Sequence, residues 1–208
     1  MKRLISKVVA AVLVCMILAP GAQNALAEGD VRRGELLGYT CLGCHGIRGY
    51  RNAYPSYRVP KLGGQKPEAL VNSLRAYRDE DREHHTMRAQ AAVLSDQDIE
   101  DIVAWIAAQG PKAVDDVDEQ AAESLEAVRA CVACHGTQGK DVSPAPPVLS
   151  GQHASYLGQA LLQYREGERG RNTVMTAFSA GLTDADIERL AAFYAAQDGL
   201  YTLGEKGQ

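Results

Sequence analysis

Apolar residues along this chain recur at intervals of three and four positions, and almost nowhere at intervals of two. Two stretches show the pattern clearly: Ile99, Ile102, Val103 and Ile106, and then Ile187, Leu190, Ala191 and Tyr194. This spacing places apolar side chains on one face of an α-helix. Ser95 and Thr183 precede these stretches, each with an acidic residue three positions on, which is typical of a helix start. The pattern predicts an all-α protein.

The first 27 residues have the organisation of a secretory signal peptide. Basic residues precede an apolar run from Val8 to Ala19, which is too short to span a bilayer comfortably. The run ends at Pro20, and Ala25-Leu26-Ala27 supplies the small-x-small pattern that a signal peptidase recognises. We therefore expect an exported protein that begins at Glu28 after cleavage. An uncleaved membrane anchor is the alternative.

The rest of the chain contains an internal duplication. The segment Cys41-Leu42-Gly43-Cys44-His45-Gly46 recurs 90 positions later as Cys131-Val132-Ala133-Cys134-His135-Gly136. Pro60 to Gln65 recurs at an offset of 87 as Pro147 to Gln152, and further landmarks follow in the same order. Matching landmarks in unchanged order imply two copies of one fold. We expect a signal peptide at 1–27, a first domain at 28–110, an acidic linker and helix start at 111–127, and a second domain at 128–208.

The charge of the chain argues against one class of partner. The full sequence has a formal charge of −4, and loss of residues 1–27 removes three basic residues and no acidic one, which leaves about −7. Much of the excess lies between 111 and 127, where six acidic residues accompany a single lysine. No basic stripe is present, so no nucleic-acid partner is expected.

The duplicated Cys-x-x-Cys-His motif indicates covalent haem attachment. Two thiols one helical turn apart can form thioethers with the two vinyl groups of a haem, and the next residue's imidazole then reaches the iron. The motif assigns Cys41 and Cys44 to a first c-type haem, and Cys131 and Cys134 to a second. A zinc site and a redox-active dithiol are the alternatives, but neither explains a histidine directly after both pairs.

His45 and His135 are accordingly predicted as iron ligands, and a second axial ligand is needed for each haem. Beyond residue 27 the chain has two methionines, Met87 and Met175, which follow the motif histidines by 42 and 40 residues. A thioether ligand raises the reduction potential of a His-ligated haem. We predict that both methionines ligate. His84 or His85 is an alternative to Met87, and the choice stays open.

A tyrosine–arginine pair is present in both copies, whereas one loop differs between them. Tyr77-Arg78 and Tyr164-Arg165 recur in both copies, either beside haem propionates or as half-buried tyrosines next to solvated arginines. The loop from Tyr50 to Arg58 is longer in the first copy than its counterpart. We expect this loop to contribute a docking surface for one partner.

With these motifs the sequence resembles the bacterial di-haem cytochrome c4 family, over essentially the whole chain after the leader. The resemblance implies two tandem class I cytochrome c domains, each wrapped around one covalently bound haem. It also implies that the carbonyls of Pro60 and Pro147 accept hydrogen bonds from the ligating histidines and fix their ring orientation.

The same resemblance implies a function. Members of this family carry electrons in the periplasm, between redox proteins such as a quinol–cytochrome c reductase and a terminal oxidase. Peripheral association with the membrane is left open. We expect no independent enzymatic activity, because no catalytic triad, paired carboxylate site or phosphate-binding loop is visible. The alternatives are the cytochrome subunit of a flavocytochrome-type dehydrogenase complex and, less compatible with a methionine in each repeat, a di-haem peroxidase.

Overall fold

The computed structural model describes residues 29–110, 126–136, 146–170 and 173–205. The predicted signal peptide and residues 111–125 of the predicted acidic linker lie outside these ranges. Within them, regular structure is helical, and the β-type pairings are isolated bridges. The expectation of an all-α protein is confirmed.

The first domain consists of short helices, the last of which contains the predicted apolar stretch from Ile99 to Ile106. Helix α1 spans Val31–Gly38, a 3-10 turn covers Tyr39–Cys41, and α2 spans Leu42–His45. Helix α3 spans Pro67–Arg78, α4 spans His85–Ala91, and α5 spans Asp96–Ala108. Helices α1 and α3 both pack against α5, which holds the centre of this domain.

The second domain repeats this order. Helix α6 spans Glu126–His135, α7 spans Ala154–Glu166, α8 spans Val174–Ser179, and α9 spans Asp184–Ala196. Helices α6 and α7 pack against α9, as α1 and α3 pack against α5. The duplication seen in the sequence is therefore a duplication of the helix order and packing.

The helices begin where side chains satisfy the first free backbone N–H groups. The Asp30 carboxylate accepts hydrogen bonds from two N–H groups at the start of α1. Ser95 and Thr183 form capping boxes with Asp98 and Asp186, as their spacing predicts. Pro67 occupies the first turn of α3, where its missing N–H costs no hydrogen bond.

Helices α1 and α5 approach each other closely because two glycines of α1 lack side chains. A Cβ atom at Gly34 would lie 1.9 Å from the carbonyl oxygen of Asp101, and one at Gly38 would lie 2.6 Å from the Trp105 ring. In the second domain the counterparts of Gly38 and Trp105 are Val128 and the smaller Phe193, which share one core cluster. Each domain thus fills its core with a different pairing of small and large residues.

We predict that Gly38→Ala destabilises the protein by about 1–3 kcal/mol, because the new methyl group overlaps the buried indole. The matched control is Gly43→Ala, at a helical glycine whose added Cβ meets nothing within 4 Å. An alanine there is expected to be neutral or slightly stabilising. Denaturant titration of both variants measures the difference, and equal stabilities would contradict the tight α1–α5 contact.

A buried carboxylate fixes the register of α1 on α5. Asp101 is 1 % exposed and accepts hydrogen bonds from the backbone N–H of Asp30 and the side chain of Gln97, both at 2.8 Å. The Arg33 guanidinium pairs with the same carboxylate. This guanidinium, with help from Gln97, lowers the pKa of Asp101 and keeps it charged. The carboxylate therefore satisfies donors from both helices.

The C-terminal segment crosses from the second domain to the first. The N–H of Leu200 donates to the carbonyl of Ser150 at 2.9 Å, and Tyr201 then exchanges two backbone hydrogen bonds with Gly63, at 3.0 and 3.1 Å. Leu203 is 1 % exposed and packs in the core cluster of the first domain. The sequence assigns these residues to the second domain, and the structure shows that the first domain's core includes one of them.

Candidate functional site

A cavity of about 1110 Å³ lies between the two domains. It is larger than most single-ligand pockets, which measure roughly 300–1000 Å³. Its lining includes every haem-attachment and iron-ligand candidate from the sequence except His85, together with the two prolines of the histidine supports: Cys41, Cys44, His45, Pro60, His84, Met87, Cys131, Cys134, His135, Pro147 and Met175. The fold thus brings together two sets that are about 90 positions apart in the sequence.

The cysteine pairs lie at the ends of the first helical segments. Cys41 ends the 3-10 turn and Cys44 lies in α2, while Cys131 and Cys134 lie in the last turns of α6. Residues three positions apart on a helix share a face, so both thiols of a pair face the cavity. None of these four cysteines forms a disulfide bond. They have the spacing and orientation that thioether attachment of a haem requires.

The geometry of both motif histidines leaves one ring nitrogen free to bind a metal. The Nδ1 atom of His45 lies 2.7 Å from the carbonyl oxygen of Pro60, and that of His135 lies 2.8 Å from the carbonyl oxygen of Pro147. Because a carbonyl only accepts, Nδ1 must carry the proton and donate it. Nε2 then holds the lone pair that a metal needs.

Burial favours the uncharged form of these rings. His45 is 8 % exposed and His135 is 5 % exposed, and burial lowers the pKa of each below its ordinary value. A neutral imidazole is the form that binds a metal ion. The donor set, the ring tautomer and the cavity therefore fit a c-type haem in each domain.

The two methionines lie in equivalent short helices. Met87 is in the first turn of α4 and Met175 is in the first turn of α8. Both line the cavity and both are half-buried. In each repeat, the methionine follows the motif histidine by about 40 residues, and its sulfur atom is a soft donor that a haem iron accepts. Ligation by these methionines stays a prediction.

The two histidines before Met87 occupy different surroundings. His84 lines the cavity, and its Nδ1 accepts the N–H of Met87 at 3.2 Å, which caps α4. Its ring also packs edge-on against Tyr57 and Tyr77. An Nδ1 that accepts requires the proton on Nε2, and this tautomer has no free nitrogen for a metal. His85 is exposed and does not line the cavity.

Two arginines that the sequence analysis did not identify also line the cavity. Arg82 lies over the Tyr77 ring with its guanidinium carbon 4.3 Å from the ring centre, and Arg169 lies over Tyr164 at 4.9 Å. The pair meets across the domain boundary in an antiparallel bridge. Their signal in the sequence is the shared offset of 87, the same as that of Tyr77 and Tyr164.

The arginines adjacent to these tyrosines serve another purpose. Arg78 pairs with Asp79 and Asp96, and Arg165 pairs with Asp184 and donates to the carbonyl of Leu182. Neither lines the cavity. For both tyrosine–arginine pairs, the tyrosine lies at the cavity, whereas the adjacent arginine lies away from it. These two arginines connect their helices to α5 and α9.

A phenol lies between the two cavity arginines. The Tyr156 hydroxyl accepts hydrogen bonds from Arg82 at 2.6 Å and from Arg169 at 3.3 Å. Burial alone raises the pKa of Tyr156, but the charges of Arg169 and Arg82 outweigh burial and lower it. Among the described residues, no carboxylate forms an ion pair with Arg82 or Arg169. The domain boundary therefore presents two positive charges to the cavity.

The long loop of the first domain reaches the second domain. Tyr57 is 6 % exposed and its ring centre lies 6.2 Å from that of Tyr156. The N–H of Arg58 donates to the Ser155 hydroxyl at 3.1 Å. Tyr54, at the tip, is 93 % exposed. The loop thus contributes to the contact between domains on one side, and its role in docking a partner stays a prediction.

Comparison with known proteins identifies the fold. The cytochrome c family model matches residues 31–109 and 121–196. Cytochrome c4 of Pseudomonas aeruginosa is 31 % identical over 195 residues, covering 87 % of this chain and 96 % of that protein. The crystal structure of reduced recombinant cytochrome c4 from Pseudomonas stutzeri superposes with a TM-score of 0.65 at 29 % identity, covering 82 % of this chain and 100 % of that one.

A relative with a different name is also similar. The thiosulfate dehydrogenase electron acceptor of Stutzerimonas stutzeri is 28 % identical over 202 residues, covering 90 % of this chain and 91 % of that protein. In the part of this chain that the structure describes, no helix is both long and apolar enough to cross a membrane. The two cysteine motifs, the shared cavity and these similarities show that the chain belongs to the cytochrome c family and, within it, to the di-haem cytochrome c4 proteins, which transfer electrons through two covalently bound c-type haems.

Proposed function

We propose that this protein carries electrons in the periplasm from a quinol–cytochrome c reductase to a terminal oxidase. The observation that supports this role is that one motif histidine and one methionine of each domain line the same cavity. An iron held by both side chains would have no position open to a substrate, so it would supply one-electron transfer without substrate chemistry. Such a site suits transfer of single electrons between proteins.

The proposed ligands are His45 with Met87 in the first domain and His135 with Met175 in the second. Pro60 and Pro147 hold the histidine rings through their carbonyls. A bound haem supplies the one-electron chemistry, and the surrounding chain excludes water and adjusts the reduction potential.

Arg82 and Arg169 are proposed to bind the propionates of the haems. Neither guanidinium forms an ion pair with a carboxylate of the described residues, so both can accept an anionic partner, and propionates are the anions that a haem would bring to this cavity. The tyrosines Tyr77 and Tyr164 hold the guanidinium groups by stacking. The arginines therefore neutralise charge at the domain boundary.

We predict that Arg82→Gln lowers at least one of the two reduction potentials. An uncompensated propionate adds negative charge near the iron, which stabilises its ferric state. Spectroelectrochemical titration of the holoprotein measures both potentials. Arg78→Gln is the matched control, since Arg78 binds carboxylates away from the cavity. Equal shifts in the two variants, or no shift in Arg82→Gln, would contradict a propionate role.

Kinetic reconstitution tests the proposed function. The reduced holoprotein is mixed with a terminal oxidase, and the oxidised holoprotein with a quinol–cytochrome c reductase and quinol, while the haem absorption is followed. Rapid oxidation in the first mixture and rapid reduction in the second are expected. If either step is no faster than with an unrelated protein of the same charge, the proposed position in the chain of carriers is wrong.

A second candidate function is that of electron acceptor for a dehydrogenase. The similarity to a thiosulfate dehydrogenase electron acceptor favours it. This role is similar to that of the cytochrome subunit of a flavocytochrome-type complex, since in both cases a separate subunit carries out the substrate chemistry. Affinity purification of the exported holoprotein distinguishes these cases. Recovery of a flavoprotein indicates the flavocytochrome type, and thiosulfate-dependent haem reduction by the purified complex indicates the thiosulfate type.

The periplasmic location has its own test. Cleavage after Ala27 predicts a mature chain that begins at Glu28 and appears in the periplasmic fraction with its haems attached. Mass spectrometry of the purified holoprotein measures the N-terminus. A retained N-terminal segment would instead support the membrane-anchor alternative.

A further inference from the structure

Two equivalent glutamines exchange hydrogen bonds across the domain boundary. Gln65 and Gln152 occupy the same place in the two repeats, at an offset of 87. The Gln152 side chain accepts the N–H of Lys61 at 2.9 Å and donates to the carbonyl of Lys61 at 3.0 Å. Gln65 makes the same two bonds with Val148, at 2.8 and 3.1 Å. Each domain therefore binds one residue of the other through a side-chain amide.

The residue bound in this way directly follows the proline that supports the motif histidine. The carbonyl of Pro60 and the N–H of Lys61 belong to one peptide group. Its oxygen accepts from His45 Nδ1 at 2.7 Å, and its N–H donates to Gln152 Oε1 at 2.9 Å. A continuous chain of hydrogen bonds thus runs from a histidine of the first domain to a glutamine of the second.

The reciprocal chain has the same form. The peptide group between Pro147 and Val148 accepts from His135 Nδ1 at 2.8 Å and donates to Gln65 Oε1 at 2.8 Å. Hydrogen bonds in such a chain polarise one another, so a bond at the peptide N–H makes the carbonyl a stronger acceptor. A stronger acceptor at Nδ1 in turn makes the imidazole a more basic ligand.

The orientation of both glutamine amides is determined by their partners. Gln152 Oε1 accepts a second N–H from His153 at 3.0 Å, and Gln65 Oε1 accepts one from Lys66 at 2.9 Å. Exchanging the oxygen and nitrogen of either amide would face an NH₂ group with two N–H donors. The amide oxygen must therefore be the atom on the histidine side of each chain. Gln152 is also 4 % exposed, so water cannot readily replace it.

We propose that Gln65 and Gln152 are positioning residues, each of which adjusts the reduction potential of the haem held by the other domain. The proposal rests on the proposed ligation of the irons by His45 and His135. Because a more basic imidazole stabilises ferric iron, each glutamine lowers the potential of the haem in the opposite domain. The haem in its own domain is affected less, since no such chain leads to its own histidine.

Reciprocal variants test this proposal. In Gln152→Leu the potential of the first-domain haem is expected to rise, and in Gln65→Leu that of the second-domain haem. The ¹H resonance of the Nδ1 proton in the reduced holoprotein should move for His45 in the first variant and for His135 in the second. Ser155→Ala is the control, because it removes an interdomain hydrogen bond with Arg58 that leads to neither histidine.

The test depends on which of the two haems has the larger shift in reduction potential. A larger shift in the opposite domain for both glutamine variants supports the proposal, whereas a larger shift in the same domain, or equal shifts in both haems, overturns it. If Gln152→Leu does not fold, Gln152→Glu keeps the acceptor and strengthens it, so the first-domain potential should fall more than the second. Absence of histidine ligation in the unsubstituted holoprotein would instead refute the proposed ligands.

Discussion

Replacing Met175 with histidine is expected to remove about half of the far-red charge-transfer absorption of the ferric protein. That absorption reports methionine sulfur on ferric iron, so the half that remains should come from Met87. The potential of the second haem should fall by on the order of 0.1 V or more, within the roughly 0.8 V range that axial ligands span. Imidazole stabilises ferric iron better than a thioether does, which sets the direction. Absorption spectra and redox titration of the holoprotein measure both effects.

The corresponding experiment in the first domain uses Met87→His with a control at His84. His84→Asn retains an oxygen that can cap α4, since asparagine is a good N-cap residue, but it removes the imidazole. We expect His84→Asn to leave the far-red absorption unchanged and Met87→His to remove half of it. A ferric spectrum with only one methionine-ligated haem in the unsubstituted protein, altered by His84→Asn, would show that His84 is the ligand.

Shortening Leu203 to alanine is expected to destabilise the first domain by about 2–5 kcal/mol, although this residue lies at the end of the second repeat. Leu203 is 1 % exposed and belongs to the cluster that contains Trp105. Its N–H also donates to the carbonyl of His45 at 3.1 Å, which ties the tail to the haem-attachment motif. Denaturant unfolding followed by the fluorescence of Trp105, the single tryptophan, monitors the first domain.

The matched control makes the same substitution at an exposed leucine. Leu36 lies on α1 of the first domain and is 81 % exposed, so Leu36→Ala should change the stability by no more than about 0.5 kcal/mol. If Leu203→Ala also leaves the Trp105 transition unchanged, the tail does not contribute to the first domain's core in solution.

Much of the fold follows from local patterns in the sequence. Ser95 and Thr183 begin helices because their hydroxyl groups and the acidic residues three positions on satisfy free N–H groups within a single turn. The Cys-x-x-Cys-His spacing likewise places both thiols of each pair toward one cavity, because residues three apart on a helix share a face. Interactions of this kind involve residues a few positions apart, so they can be predicted from the sequence.

Other features arise between residues about 90 positions apart. The duplication indicates that Gln65 and Gln152 are equivalent, but it does not show that each binds the other domain. Arg82 and Arg169 meet on Tyr156 only because the domains pack face to face, and Tyr156 has Ala69 as its counterpart in the first repeat. The contact is asymmetric because only the second domain has a tyrosine at this position. The packing of the two domains then decides which side chains meet that tyrosine.

The sequence by itself determined the helical class, the two repeated domains and the cysteine and histidine residues that are predicted to hold the haems, because each depends on periodicity or on spacing within one helical turn. The tertiary structure decided which peptide groups the glutamines bind, which arginines face the cavity and where the C-terminal tail packs. These contacts depend on how two folded units dock, and docking is set by the shapes and hydrogen-bonding groups of whole surfaces, which no local pattern encodes.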